Sequence, residues 1–383
     1  MKVMSMRKQL IAWVSIALLL GAAGASAQAM RTVASAGGPI SVSVVAEGLE
    51  APWSLAFLPD GRMLVSERPG RLRIVGADGR VSAPLAGVPE VHDRGQGGLL
   101  DVVLSPDFAR DQTIFFSFAQ PTRDGARTAV ARAHLDLAAQ RIDELKVIFA
   151  QNEDPDGRHH FGSRLVFDRA GNLFVTLGER NSRRESAQDL GSHLGKVVRI
   201  RPDGSVPADN PFVGRKDVMP EIWSYGHRNV QGAALHPRSG QLWTHEHGPQ
   251  GGDEVNIDVA GANYGWPVIT FGREYVTGFR IGEGSVRADV TPPRHQWTPS
   301  IAPSGMAFYS GALFPHWQGS LFVGSLKFGM LSRLSLDGEA VVAEERLLGE
   351  IGHRLRDVRQ GPEGALYLLD ETAGSILRLT PAR

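Results

Sequence analysis

Beyond residue 40 the chain is a succession of short apolar runs, with little of the 3.6-residue periodicity that marks amphipathic helices. One phrase recurs: an apolar strand, a turn built from Pro, Asp and Gly, then a second apolar strand. Copies lie at residues 55–65, 102–116, 165–175, 234–243, 310–323 and 359–368. The turn residues supply the backbone angles of a hairpin, because Pro fixes φ, Gly tolerates positive φ and Asp bonds to nearby backbone. Recurrence at about 50 residues, with four strands per unit, is the period of propeller blades. The pattern therefore predicts an all-β protein: a six-bladed β-propeller of four-stranded antiparallel blades, one domain over residues 40–383. Five or seven blades are the neighbouring solutions. A pair of β-sandwiches is the structural alternative, but it does not need six similar turns. Residues 40–45 and 375–379 are the first and last strand-like segments, so one can complete the blade of the other and close the ring.

The first residues read differently. Lys2, Arg7 and Lys8 precede an apolar stretch from 10 to 23, and Ala25-Ser-Ala27 forms a small-residue cleavage site. This is a secretory signal pattern over residues 1–27. The stretch is shorter than the ~20 residues a spanning helix needs. Residues 28–39 read as a flexible lead-in, and the expected location is the periplasm, with no stable membrane insertion after cleavage. Forty-one basic residues balance 41 acidic ones, so no basic field points to nucleic acid. The 383 residues include no cysteine, which excludes disulfides, thiolate metal sites and thiol nucleophiles.

Ligands of propellers bind where loops converge over the central channel, so the polar loop clusters carry the chemistry. Gln96 is flanked by glycines, which let a backbone approach a ligand closely. His160 precedes a strand and is placed to act as a base near neutral pH. Glu179 ends the following strand and can return beside it to orient the imidazole. Arg228 offers a planar fork for carboxylates. Carbonyls at Gly248 and Pro249, with Asp253 and Glu254, are hard oxygen donors of the kind calcium takes, though their spacing is not that of an EF-hand. Arg354 and Arg356 fall on one side of a strand. Together with Arg228 and Lys327 they can line a pocket for a polyanionic small ligand.

Taken in order, Gly226-His-Arg-Asn-Val-Gln-Gly232, Gly248-Pro-Gln-Gly-Gly-Asp-Glu-Val-Asn256, Asn263-Tyr-Gly-Trp-Pro267, Ile301-Ala-Pro-Ser304 and Arg354-Leu-Arg356 resemble the soluble pyrroloquinoline quinone (PQQ)-dependent glucose and aldose sugar dehydrogenases. The likeness runs from about Val42 to Leu379. It implies a six-bladed propeller with PQQ and Ca2+ on its top face, oxidising the C1 hydroxyl of aldoses to the lactone and passing electrons to an external acceptor. His160 would be the general base, and Glu179 stands where the family usually has Asp. Gln96 would contact the quinone end and the substrate. Arg228, Asn229, Lys327, Arg354 and Arg356 would hold the cofactor's carboxylates and quinone oxygens, and Ser300 replaces a cofactor-contacting Thr. Gly248 and Pro249 would bind the catalytic calcium, and Glu254 and Tyr264 match a further, structural calcium site. Short inter-blade loops resemble the broad aldose type, monomeric or dimeric. A calcium-dependent lactonase-type propeller hydrolase and a non-catalytic binding propeller are the competing functions.

Overall fold

A computed structural model describes residues 30–152 and 157–382; the signal pattern at 1–27 lies outside the described residues. Six antiparallel sheets follow one another along the chain and close into a ring, a six-bladed β-propeller. The first blade comprises Pro52–Phe57, Met63–Glu67 and Arg71–Val75, extended by a bridge from Val75 to Val81. The second runs from Leu99–Leu104 out to Arg141–Ala150, the third from Leu165–Phe167 to Ile222–Tyr225, and the fourth from Val230–Leu235 to His295–Trp297. The fifth spans Pro303–Phe308 to Ala340–Leu347. In the sixth, Leu355–Gln360, Leu366–Asp370 and Ser375–Pro381 are completed by the N-terminal strand Ile40–Ala46, pairing Val42 with Leu379. The two chain ends thus close the ring, as the strand pattern predicts. Met30–Val33, inside the stretch expected to be a flexible lead-in, adds a fifth strand to this blade by pairing with residues 40–43.

The recurring phrase is one hairpin used repeatedly. Leu58 N–H donates to Arg62 O at 2.8 Å, Gly61 has φ 87°, and the Asp60 carboxylate accepts from Arg62 N–H at 3.0 Å. In the third blade Asp168 stands at the position of Leu58, its N–H donating to Asn172 O at 2.7 Å and its carboxylate accepting from Asn172 N–H at 2.8 Å. The apolar faces of adjacent blades pack against each other around the whole circle. Leu64 and Leu72 of the first blade meet Phe116 and Phe118 of the second, and Leu355 and Leu377 of the sixth meet Trp317 and Phe322 of the fifth. Each sheet is therefore covered on both faces by its neighbours, and this burial, not helix formation, holds the fold.

Two features shape the functional end. In five of the six blades the pairing register shifts near the start of the innermost strand: at Pro52/Ser54, Leu99/Val102, Val230/Gly232, Pro303/Met306 and Leu355/Asp357. Such bulges re-aim side chains and carbonyls, and they favour barrel rims and active sites. Below them the axis is filled by a buried charge network. Arg164 contacts Asp101 at 3.3 Å and Asp357 at 3.0 Å, and Arg359 contacts Asp357 at 2.8 Å and Asp101 at 3.0 Å. The strong mutual neutralisation offsets the desolvation of four charges and gives the channel a rigid floor.

Candidate active site

His160 sits in the loop ahead of the third blade with φ 53°. That conformation is unusual for a residue with a Cβ, and neighbouring groups impose it. Its backbone N–H donates to Gln96 Oε1 at 2.7 Å, and its carbonyl accepts from Arg180 N–H at 3.3 Å. Its ring Nδ1 lies 3.0 Å from Glu179 Oε2, and the same carboxylate oxygen accepts from Asn181 N–H. A carboxylate cannot donate, so Nδ1 carries the proton and Nε2 keeps its lone pair. Burial, then the nearby Arg228 guanidinium, hold the imidazole down at about 4, against the pull of Glu179. The ring is thus neutral at neutral pH, its Nε2 lone pair free to accept a proton and its tautomer fixed from behind.

His160 lines a cavity of about 700 Å³ together with Gln96, Arg228, Gly248, Pro249, Ser300 and Lys327. A smaller cavity of about 230 Å³ adjoins it, lined by Arg354, Arg356 and Glu371, and Gln96 and His247 belong to both walls. The four cations expected in a single pocket are thus divided between two adjoining chambers. They are also partly neutralised. Glu371 Oε2 accepts from Arg354 Nε at 3.2 Å and from Arg356 Nη2 at 2.8 Å. Burial works against the Glu371 charge, but Arg356 and Arg354 overcome it and keep the carboxyl below its usual range. Asn229 stands behind the His160 loop, its Oδ1 accepting from Gly162 N–H at 3.1 Å.

Arg228 Nη1 donates to Gly248 O at 2.7 Å and to His247 O at 3.1 Å, and Ser300 Oγ donates to Pro249 O at 3.4 Å. Asp253 secures this turn by accepting from Gly248 N–H and Ala302 N–H, each at 2.8 Å. Glu254 and Tyr264 do not line either chamber. They belong to a buried cluster around His227, where Glu254 pairs across the strand with Glu246 and Tyr264 stacks on the His227 ring at 4.6 Å. The Tyr264 hydroxyl is taken up by Ile257 O and Val259 N–H. Burial opposes charge on His227, but Glu246 and Asp258 outweigh it and hold the imidazole up at about 9.

The donor set suits an anionic ligand. Arg228 Nε and Asn229 Nδ2 are buried with no hydrogen-bond partner among the described residues. Leaving such groups unpaired is costly, and carboxylate or quinone oxygens would satisfy them. For a hard cation, the Gly248 and Pro249 carbonyls each keep a second lone pair. Among the described residues no group of three or more His, Cys, Asp or Glu assembles that could hold a metal ion. A calcium at this turn would therefore need ligand oxygens from the cofactor. Sequence reasoning passed over Glu371, Arg273 and Tyr275 and gave no role to His247, which heads the 247–256 loop cluster; the last three line the larger chamber. Glu371 had a signal. Leu355 pairs with Asp370 in the sixth-blade hairpin, so the adjacent Glu371 falls beside the arginine strand.

Residues 49–378 match the family model described as Glucose / Sorbosone dehydrogenase. The chain is 47% identical to aldose sugar dehydrogenase YliI of Escherichia coli (strain K12), over 89% of this chain and 93% of that protein. It superimposes on a crystal structure of a glucose dehydrogenase with TM-score 0.87 and 50% identity, covering 89% of this chain and 99% of the other. The PQQ-bound form of an aldose sugar dehydrogenase from Streptomyces coelicolor matches with TM-score 0.72 and 33% identity, covering 89% and 98%. The chain belongs to the glucose/sorbosone dehydrogenase family of sugar dehydrogenases.

Proposed function

We propose that this protein is a PQQ-dependent aldose sugar dehydrogenase, exported to the periplasm, that oxidises the C1 hydroxyl of aldoses to the lactone. The observation that carries this is His160, held at Nδ1 by Glu179, in the same chamber as Arg228, whose buried Nε has no partner among the described residues. Arg228, Lys327 and Ser300 would hold the cofactor in the larger chamber, Asn229 would reach it with its unpaired Nδ2 from behind the His160 loop, and Arg354 and Arg356 would reach it from the smaller chamber. Gly248 and Pro249 would supply carbonyls to calcium beside it. When bound, PQQ supplies the hydride acceptor and calcium polarises its carbonyl. The protein's own part is positional and protonic. His160 Nε2 takes the sugar's C1 hydroxyl proton as the hydride leaves the same carbon. Glu179 stabilises the imidazolium that forms. Gln96 Oε1 is already engaged by His160 N–H, so its amide nitrogen is the group left for a sugar oxygen. Electrons then pass to an external acceptor.

A lactonase-type site would need free channel carboxylates, but Asp101 and Asp357 are committed to Arg164 and Arg359. Reconstitution of the purified protein with PQQ and calcium, followed by dye reduction with a panel of aldoses, tests the proposal. Absence of both turnover and a PQQ spectral change would refute it.

A further inference from the structure

We propose that Arg180 is a positioning residue that fixes the geometry of His160, bolting the loop that carries the base onto the neighbouring blade. The inference rests on the functional role of His160 proposed above, and its structural half stands without it.

Arg180 is only 1% exposed. A buried guanidinium is expensive unless its donors are met, and here they are spent on backbone. Nε donates to His159 O at 3.0 Å, Nη2 to Gly157 O at 2.6 Å, and Nη1 to Ala126 O at 2.5 Å. The first two acceptors lie just ahead of His160 in its own loop. The third opens the strand Ala126–Asp136 of the second blade. One planar group therefore ties the loop to a strand that belongs to another sheet. Its underside lies 3.7 Å from the centroid of Phe161, the residue after the base, which is itself buried with Trp53, Leu100 and Ala126. The Arg180 main chain completes the hold, its N–H donating to His160 O.

The need for such a clamp follows from the conformation. His160 has φ 53° and Ser163 has φ 91°, so the segment is not held by regular strand pairing. Gly178 approaches so closely that a Cβ there would meet His160 O at 2.3 Å. The loop is thus pressed against the 178–180 segment from one side. Glu179 sets the ring from behind, and Arg180 sets the backbone that carries the ring. Two consecutive residues thereby fix the orientation and the location of one imidazole. A lysine at 180 could not reproduce this, because an ammonium lacks the planar fork that reaches three separated carbonyls.

The test uses Arg180→Ala in the purified full chain, reconstituted with PQQ and calcium. Misplacing the base by about 1 Å should lower kcat by about 10²-fold. KM for the aldose and Kd for PQQ should stay within about threefold, because Arg180 lies outside both chambers. Added methylguanidinium should restore part of kcat. A kcat close to wild type, or a PQQ Kd that rises in step with the loss, overturns the proposal. The same variant without cofactor is read by amide hydrogen exchange. Exchange should accelerate in 157–162 and stay unchanged in the other blades; unchanged exchange at 157–162, or acceleration throughout, also overturns it. If Arg180→Ala does not fold, Arg180→Lys is read the same way and should show a smaller loss in the same direction. An inactive reconstituted wild type would sink the functional proposal instead, while the exchange measurement still decides whether Arg180 holds the loop.

Discussion

Glu179→Gln is the sharpest probe of the proposed base. The substitution keeps the length and leaves an amide oxygen that can still accept from His160 Nδ1, now 3.0 Å from Glu179 Oε2. The tautomer is therefore retained and only the charge is removed. The charge matters when the imidazole becomes imidazolium in the transition state. Opposite charges about 4 Å apart attract by about 4 kcal/mol at an effective dielectric of about 20. Since about 1.4 kcal/mol is a decade in rate, the ceiling on the loss is about three decades. Relaxation and the nearby Arg228 guanidinium reduce it, so kcat should fall by about 10²-fold, with Kd for PQQ nearly unchanged. The assay is steady-state dye reduction by the reconstituted enzyme, with PQQ affinity titrated separately. Glu179→Asp should lose less, because it keeps the charge and gives up only reach. A Glu179→Gln enzyme with kcat within a few-fold of wild type would refute the role of Glu179 as imidazolium stabiliser.

Further outcomes follow from the same geometry. His160→Ala should retain PQQ binding, seen as an unchanged spectral titration, and lose about 10²- to 10⁴-fold in turnover. Arg228→Lys should weaken PQQ affinity by about tenfold or more, because an ammonium's donors all radiate from one nitrogen and cannot brace the 247–248 carbonyls while another nitrogen, like Arg228 Nε, faces the ligand; titration of PQQ into the apoprotein measures it. Asp101→Asn should cost about 3–5 kcal/mol in denaturant unfolding, since it strips one anion from a buried network with two arginines. The two buried histidines should give opposite pH signatures in the apoprotein. His160, lowered to about 4, makes stability fall as pH drops from about 6.5 toward 4, because the unfolded chain binds the proton first. His227, raised to about 9, contributes stability that is complete below about 6.5 and lost as pH rises through 9. Unfolding midpoints of wild type against His160→Gln and His227→Gln, taken across this range, should separate the two signs.

The blade count was legible because most of the hairpins repeat one local solution, an Asp or Pro ahead of a positive-φ glycine, as at Asp60-Gly61, while the second blade replaces the glycine by Gln112 after a helical turn. Ring closure was legible from the apolar character of residues 40–45 and 375–379, which pair with each other in the sixth blade. The strand Met30–Val33 was not, because pairing at a blade's outer edge asks little of the sequence. Its register partner Ile40–Ala46 carries the apolar signal for both. The bulges near the starts of five inner strands were equally hidden. They depend on which carbonyl faces the channel, and hydropathy says nothing about that.

Residue types announced the site, and tertiary pairing decided how it works. His160 and Glu179 lie 19 positions apart and met because both flank one hairpin, a relation that chain spacing can suggest. The cation pocket was harder. Counting Arg228, Lys327, Arg354 and Arg356 overstates its charge, since Glu371 returns along the sixth-blade hairpin and takes both of the last two arginines on one oxygen. That arrangement has a functional consequence for a ligand with several carboxylates. Two bare guanidinia side by side would repel and splay, whereas the shared Glu371 carboxylate holds both at the wall of the smaller chamber. The site thus trades some net attraction for preorganisation. Arg228 and Lys327 line the larger chamber beside His160, where, under the proposed function, they would stabilise the negative charge that develops on the cofactor.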